Sequence, residues 1–435
     1  MMQHVRQMGV CGAVLVVALT GAMTGYAATE QAKQQAIDDG LAWLASQQQG
    51  AGYWEYGDLR SDVAATASAA MAFVGEGYLP GDGSMYDTNV TSAVTWLFNQ
   101  AQILSPIPVE TAGYWHHAED YNNSGTIDAG DVGANDQALY FATTDIYSNG
   151  ITAPLVFELG RQLGPDTVVG LGNADIQAMT YRQAMQDVVD WFSWAQVEPD
   201  RGDHRGGWRY TPNYDTSDNS TAQWGALPIL YADAWGLGVP QQVRDELEQW
   251  CDYIQNANGG SGYDSPGSTV NVSKTGGLIL ELLAAGAGAG DQRIKDAIAF
   301  INSRWMNGPS GTWYGHLDHP YAMWAVYKAL ETAGVTTMSN APGGFTIGQQ
   351  WDPETSLPGD WFAHYCDYLV SIQETDGSWA GYSYWWGPLA TGWYINILNA
   401  AGAPPPVIPE PVTAAGLLLG VVSLRRYVRR RRRNA

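Results

Sequence analysis

Apolar positions recur at helical spacing along most of the chain. Each helical stretch runs into a polar, glycine-containing turn that ends on an aromatic residue. The clearest instance is YLVSIQETDGSW, Tyr368–Trp379. Variants are WLASQQQGAGYW at Trp43–Trp54, WFSWAQVEPDRGDHRGGW at Trp191–Trp208 and YIQNANGGSGY at Tyr253–Tyr263, with a less regular FINSRWMNGPSGTW at Phe300–Trp313. Gln31–Gln48 places Ile37, Leu41 and Leu44 on one face and predicts an amphipathic helix. Ser61–Glu76, rich in Ala and other small residues, predicts a helix packed on several sides. This pair then returns: an outer-type helix ending in Gln and aromatics, a glycine turn, and an inner-type helix. The inner-type helices open at Ser61, Ser220-Thr221, Asn271 to Thr275, Tyr321 and Thr391, whose hydroxyls and amide are expected to cap the first free N–H groups.

The aromatics that close the turns are Trp54, Trp115, Trp208, Tyr263, Trp313 and Trp379. A unit repeated in this way buries its apolar face against the next copy. Six helix pairs close into a ring, so the expected fold is all-α. No hairpin signature competes with it.

The Gln…Gly…Trp unit resembles the QW repeat of the prenyltransferase and squalene–hopene cyclase superfamily, an α/α toroid, over roughly Thr29 to Ala403. The resemblance implies stacking pairs of Gln47 or Gln48 with Trp54, Gln196 with Trp208, Gln255 with Tyr263, and Gln373 with Trp379. It does not carry the cyclase chemistry. Against the acidic motif of squalene–hopene cyclases the nearest match is Ser217-Asp218-Asn219-Ser220-Thr221-Ala222. There the proton-donor position holds Asn219, which cannot protonate an alkene. The zinc set of protein prenyltransferases is not matched either. Cys251-Asp252, Cys366-Asp367 and His364 lack the required spacing, and no zinc is expected.

Charge narrows the partners. The formal net charge is −23, and seven Arg sit in the last eleven residues. Between residues 28 and 406 there are 13 basic and 43 acidic side chains, a net of −30. Such a body repels nucleic acid and anionic membrane, and suits polyanionic polysaccharides poorly. Residues 1–27 read as a secretory signal: Arg6, the apolar run Val10–Leu19, and Gly25-Tyr26-Ala27 at the cleavage site. Residues 404–435 read as a Pro-rich linker and sorting tail. Pro404 to Pro406 precede the triplet Pro409-Glu410-Pro411, the apolar stretch Val412–Leu424 and a basic run from Arg425 to Arg433. That order resembles the PEP-CTERM signal of Gram-negative bacteria. It implies transient insertion of the C-terminal helix in the inner membrane, cutting by a sorting protease of the exosortase type, and delivery to the cell surface or medium. Cys251 and Cys366 are expected as two buried thiols, a disulfide being the alternative.

DYNNSGTIDAGD, Asp120–Asp131, resembles the calcium loop of dockerins and EF-hands. Asp120, Asn122, Ser124, Asp128 and Asp131 would offer side-chain oxygens and Thr126 its carbonyl, with Gly125 at the sharp turn; Ca2+ is the expected ion. Three later turns, His204–Asp215, Thr312–Trp324 and Ser378–Tyr394, gather aromatics and acids. They are expected around one mouth of the toroid. Trp208, Tyr210, Trp313, Trp324 and Trp385 are the candidate ligand-binding residues, for a carbohydrate or a small apolar ligand. Asp215 and Asp318 are the candidate carboxylate pair, and His316 or His319 the candidate base. The sequence therefore predicts an exported binding module without cyclase activity. A polysaccharide lyase or hydrolase is the alternative, and a terpenoid cyclase or transferase a third reading.

Overall fold

The computed structural model describes residues 28–108, 119–122, 124, 126, 130, 131, 133–311, 313–342 and 358–406. The signal segment 1–27, Trp115, Asp128 and the triplet Pro409-Glu410-Pro411 with its tail lie outside the described residues. Among those described, no helix is long and apolar enough to cross a membrane.

Twelve α-helices alternate along the described chain: α1 (Glu30–Gln47), α2 (Leu59–Gly75), α3 (Asp87–Phe98), α4 (Ile146–Leu163), α5 (Tyr181–Ala195), α6 (Ala222–Trp235), α7 (Gln241–Ile254), α8 (Val272–Ala284), α9 (Gln292–Asn302), α10 (Pro320–Thr332), α11 (Trp361–Ser371) and α12 (Gly387–Leu398). The even-numbered helices are apolar on every side; Val63–Val74 of α2 and Val272–Ala284 of α8 are buried without a break. They pack side by side in the order α2, α4, α6, α8, α10, α12 and back to α2. The odd-numbered helices bury one stripe, as α7 does with Val243, Leu247, Trp250 and Ile254. They form the outer layer of an α/α toroid of six helix pairs.

The repeat turn works differently from a Gln–Trp stack. Each Gln donates twice from Nε2: once to the glycine of its own turn, once to a carbonyl in the first turns of the next outer helix. Gln48 reaches Gly52 O (2.7 Å) and Asn89 O (2.9 Å). Gln196 reaches Gly206 O (2.8 Å) and Val243 O (2.9 Å). Gln255 reaches Gly259 O (3.1 Å) and Arg293 O (2.9 Å). Gln373 reaches Gly377 O (2.8 Å) and Ala36 O (2.8 Å), which joins the last outer helix to the first. The turn glycine lies against the carbonyl three residues farther on, at Ser92, Glu246, Asp296 and Asp39, so closely that a Cβ has no room. All four glycines, Gly52, Gly206, Gly259 and Gly377, also have positive φ. The indoles of Trp54, Trp208 and Trp379 instead donate back to their own outer helix, at Leu44 O, Phe192 O and Leu369 O.

Three further expectations change. Six residues after Gln255, where the turns after Gln48 and Gln373 place tryptophan, stands Ser261; its N–H donates to Thr275 Oγ1 (3.0 Å). Trp54 and Trp379 make the same bond to Thr66 and Thr391. Tyr263 is thus free for the mouth, and Thr391 pins a turn and does not cap its helix. The α2 cap is Asp58, three residues before Ser61, because its carboxylate reaches Ser61 N. Finally, the fold is not helix alone. Ladders β1 (Ala101–Leu104) with β2 (Ala138–Phe141), and β3 (Thr337–Pro342) with β4 (Pro358–Asp360), staple the feet of the two long insertions.

At the far end of the ring the chain after α12 crosses the inner helices. Tyr231 donates to Gly402 O (2.7 Å), Tyr327 to Ala401 O (3.1 Å) and Thr332 to Pro404 O (3.3 Å). Pro404 is therefore part of the body, one residue beyond the expected boundary. Cys251 and Cys366 are both buried and unbonded.

Gln373→Ala removes the stitch that closes the ring and leaves the Ala36 carbonyl without its donor. A loss of about 1–3 kcal/mol is expected, read as a melting temperature a few degrees lower. Gly377→Ala, which adds strain at positive φ and a clash with Asp39, is expected to lower it further. An unchanged melting temperature in both would mean that closure does not depend on this turn.

Candidate functional site

The N-termini of the six inner helices meet at one end of the ring. Side-chain contacts between neighbouring turns show it. The Tyr56 ring, just before α2, stacks on Trp386 at α12 (4.8 Å) and its hydroxyl accepts from Trp386 N (3.0 Å). Arg60 of α2 lies 3.6 Å from Asp145, the cap of α4. Tyr147 of α4 bonds Ser220 (2.6 Å), and Tyr210 bonds Tyr263. Trp385 stacks on Tyr321 of α10 (4.9 Å). The exposed aromatics collect here: Tyr210 (37% exposed), Tyr214 (40%), Tyr314 (43%), Tyr384 (74%) and Trp386 (49%). Non-glycine residues at positive φ collect here too, at Asn213, Thr269, Trp313, Asp318 and Ser383. Such strain persists where surrounding contacts enforce it and often marks a working surface.

The five candidate ligand aromatics divide. Tyr210, Trp313 and Trp385 are at the mouth; Trp313 packs edge-on to Trp385 (5.1 Å). Trp208 is fully buried, and its indole is bonded to Phe192 O (2.9 Å). It serves the repeat turn. Trp324 is buried in the toroid core, parallel to Trp393 at 6.5 Å. Neither offers a face to a ligand.

The catalytic candidates divide as well. Asp215 and Asp318 do not form a pair with opposed roles. Asp215 is exposed and lies 3.4 Å from the Arg201 guanidinium. Asp318 stands at the mouth with φ +63, and partial burial of its carboxyl raises its pKa above that of an ordinary aspartate. His316 is buried with both nitrogens used: Nε2 donates to Trp305 O (2.8 Å), so Nδ1 accepts from the Tyr365 hydroxyl (2.5 Å). Burial, with His364 and His319 nearby, holds its pKa down at about 3. This is a neutral structural imidazole. His319 caps α10, with Nδ1 accepting from Ala322 N (3.4 Å), and its ring sits among Trp313, Tyr382 and Trp385. Burial holds it at about 3 also.

The polar centre of the mouth lies in residues that the sequence offered only as an imperfect cyclase motif and as helix openings, joined by Gln223 and Lys328, which it did not single out. Asp218 accepts from Ser220 N (2.9 Å), Thr221 N (3.1 Å) and the Ser220 hydroxyl, so it starts α6. Burial raises its carboxyl pKa, against the pull of Ser220 and Arg209. Asn219 donates to Ser261 Oγ (2.7 Å) and Lys274 O (3.0 Å) and accepts from the Trp250 indole (2.9 Å). Its amide is fully employed in joining α6, α7 and α8. From Ser220 the bonds continue inward: Tyr321 donates to Ser220 O, Gln223 to the Tyr321 hydroxyl (2.7 Å), and Lys328 to Gln223 Oε1 (3.4 Å). Lys328 then ends over the Trp224 ring (4.0 Å), and burial depresses its pKa strongly. Composition held a signal for this. The chain has four lysines, and two of them, Lys274 and Lys328, are buried on inner helices.

The calcium-loop residues that are described fold back on themselves. Asp120 and Asp131 are buried; Asp120 accepts from Ser124 N (2.8 Å) and Asp131 from Asn122 N (3.0 Å). Ser124 donates to Thr126 O (2.8 Å). The loop is anchored to α5, where Tyr121 donates to Asp190 (2.9 Å) and Asn135 to Asp187 (3.2 Å). Among the described residues no cluster of three His, Cys, Asp or Glu is placed to hold a metal. A calcium site here rests on amide, hydroxyl and carbonyl oxygens beside the two buried carboxylates, and these donors fit a hard cation.

No protein-family model matches the sequence, and no curated protein matches it. Solved structures do resemble it in fold. A type II terpene cyclase from Scytonema shares 12% identity at a TM-score of 0.43, covering 86% of this chain and 98% of that one. A GH76 α-mannanase from Bacteroides thetaiotaomicron shares 10% identity at 0.49, covering 85% and 96%. A β-1,3-1,4-glucanase from Paenibacillus sp. X4 shares 12% at 0.42, covering 87% and 96%. The likeness is one of architecture alone.

Because His316 has no room for a second proton, its ring should stay neutral as pH falls through 6.5. Nitrogen-detected NMR of the imidazoles is expected to show no protonation of His316 above about pH 4 while the fold persists. Titration near 6.5 would return His316 to the list of bases.

Proposed function

We propose that this protein is an exported toroidal binding module that holds carbohydrate at its aromatic mouth, without terpenoid cyclase activity. The observation that supports it is the gathering of exposed rings from the turns before α6, α10 and α12 at one opening. Planar aromatic faces with hydroxyls nearby suit the apolar faces and edges of sugar rings. Cyclisation is not supported, since the amide at Asn219, the expected proton-donor position, is a structural link and Asp218 is engaged by Ser220, Thr221 and Arg209. Export and surface delivery rest on the sequence of the two terminal segments, with an exosortase-type protease as partner and only transient membrane insertion.

A second reading, a polysaccharide hydrolase or lyase, is favoured by one feature: Asp318, exposed at the mouth with a raised pKa, has the properties of a general acid. Its expected partner, Asp215, is an exposed carboxylate beside Arg201.

Calcium held by Asp120, Asn122, Ser124, Asp131 and the Thr126 carbonyl, together with Asp128, would stiffen the insertion between β1 and β2. The role is structural.

Purified protein on a glycan array, with calcium present, is expected to bind oligosaccharides without releasing reducing or unsaturated ends. Trp386→Ala or Tyr384→Ala is expected to weaken binding by about 2–10-fold. Product release that Asp318→Asn abolishes would replace the binding reading with the enzymatic one. No binding to any glycan would overturn both. For the ion, the melting temperature is expected to rise with calcium and fall with a chelator, and Asp120→Ala with Asp131→Ala should remove the difference. A melting temperature indifferent to calcium in the native protein would dismiss the site.

A further inference from the structure

Lys274 stands in the first turn of α8, 3% exposed. Among the described residues nothing hydrogen-bonds its amine, and no carboxylate is within ion-pair distance. Its Nζ lies 5.8 Å from the Tyr263 ring. On the same ring, also at 5.8 Å, lies the Arg209 guanidinium, which faces Tyr210 (5.3 Å) and Tyr214 (5.7 Å) as well. Arg209 is steadied by Thr216 (2.7 Å) and, at 3.4 Å, by Asp218. Two cations therefore lie near one tyrosine, beside two exposed ones. Burying the Lys274 amine costs free energy that Asp218 and Asp264 offset only from a distance, with no hydrogen bond or close ion pair.

We propose that Lys274 and Arg209 form a subsite for the carboxylate of an acidic sugar, so that the glycan recognised at the mouth carries a uronic acid residue. This deepens the carbohydrate reading and rests on it. The sugar ring lies on the Tyr210 and Tyr263 aromatics, and its carboxylate supplies the counter-charge that Lys274 lacks. A planar carboxylate also matches the fork of Arg209. The strongly acidic body is no obstacle: it repels a polyanion, whereas one carboxylate is met by two local cations and by the N-terminus of α8.

The groups facing Lys274 decide the pH dependence. They are Asp218 and Asp264, whose charges favour its ammonium form, with Arg209, Tyr263 and Tyr147 nearby and Glu281 deeper on α8. Burial outweighs the two carboxylates and brings Lys274 down to about 7. A bound carboxylate favours the protonated amine, so binding takes up a proton. Affinity for the acid should fall as pH rises above 7.

The test is calorimetry on the intact protein with a glucuronate-terminated oligosaccharide and its glucose-terminated counterpart. The acidic ligand is expected to bind about tenfold tighter at pH 6.5, and the ratio to shrink towards one by pH 9. Lys274→Met should bring the ratio to about one at every pH. Lys274→Arg, permanently charged, should keep the preference and lose its pH dependence. That variant also guards against misfolding of the first. Equal affinities for the two ligands in the native protein would overturn the proposal and leave carbohydrate binding standing. A preference for the acid that Lys274→Met does not alter would also overturn it. Failure of both ligands to bind would remove the carbohydrate reading itself.

Discussion

A buried glutamine amide that must satisfy two carbonyls at once sets the architecture. In each regular repeat one N–H bond holds the glycine turn and the other seizes the next outer helix. The turn glycine then lies on that helix's backbone, where no side chain fits. Neighbouring pairs are thereby fixed at one distance and one rotation. Four of the six steps around the ring are set this way, and the bond from Gln373 to Ala36, which closes it, is the same bond as the other three. Closure leaves no exposed end of the repeat to cap.

That constraint also makes the mouth. The turns after α1, α5, α7 and α11 are of this one kind, and the inner helices begin at the same end. Turn residues from all six pairs face one another there. The opposite end is crossed by the strand of chain through Pro404, tied to Tyr231, Tyr327 and Thr332. The mouth and this crossing segment therefore lie at opposite ends of the ring.

Inside the toroid the division is between rings that build and rings that receive. Trp208, Trp54 and Trp379 spend their indole N–H groups on the helices that precede them. Trp224, Trp324 and Trp393 surround Lys328 and fill the centre. The rings at the rim are exposed, and several are held by backbone at positive φ. Buried polar groups of α6, α8 and α10 connect these layers, and a network of this kind specifies one arrangement of the helices.

The sequence by itself determined the repeat. Helical spacing, the Gln and the turn glycine are local signals, and together they announced six helix pairs and a ring. Only the tertiary structure decided which aromatics face a ligand. Trp208 and Trp385 sit in similar turns, and what separates them is whether a glycine such as Gly225 on the next helix makes room for the ring. It likewise decided that His316 is saturated by Trp305 and Tyr365 and that Asp215 lies exposed beside Arg201. Those partners are distant in sequence, and pKa follows from surroundings, not from residue type. Arg209 and Lys274 both lie near the Tyr263 ring because Ser261, not Tyr263, takes the tryptophan's place against Thr275, a register that one residue pattern cannot show.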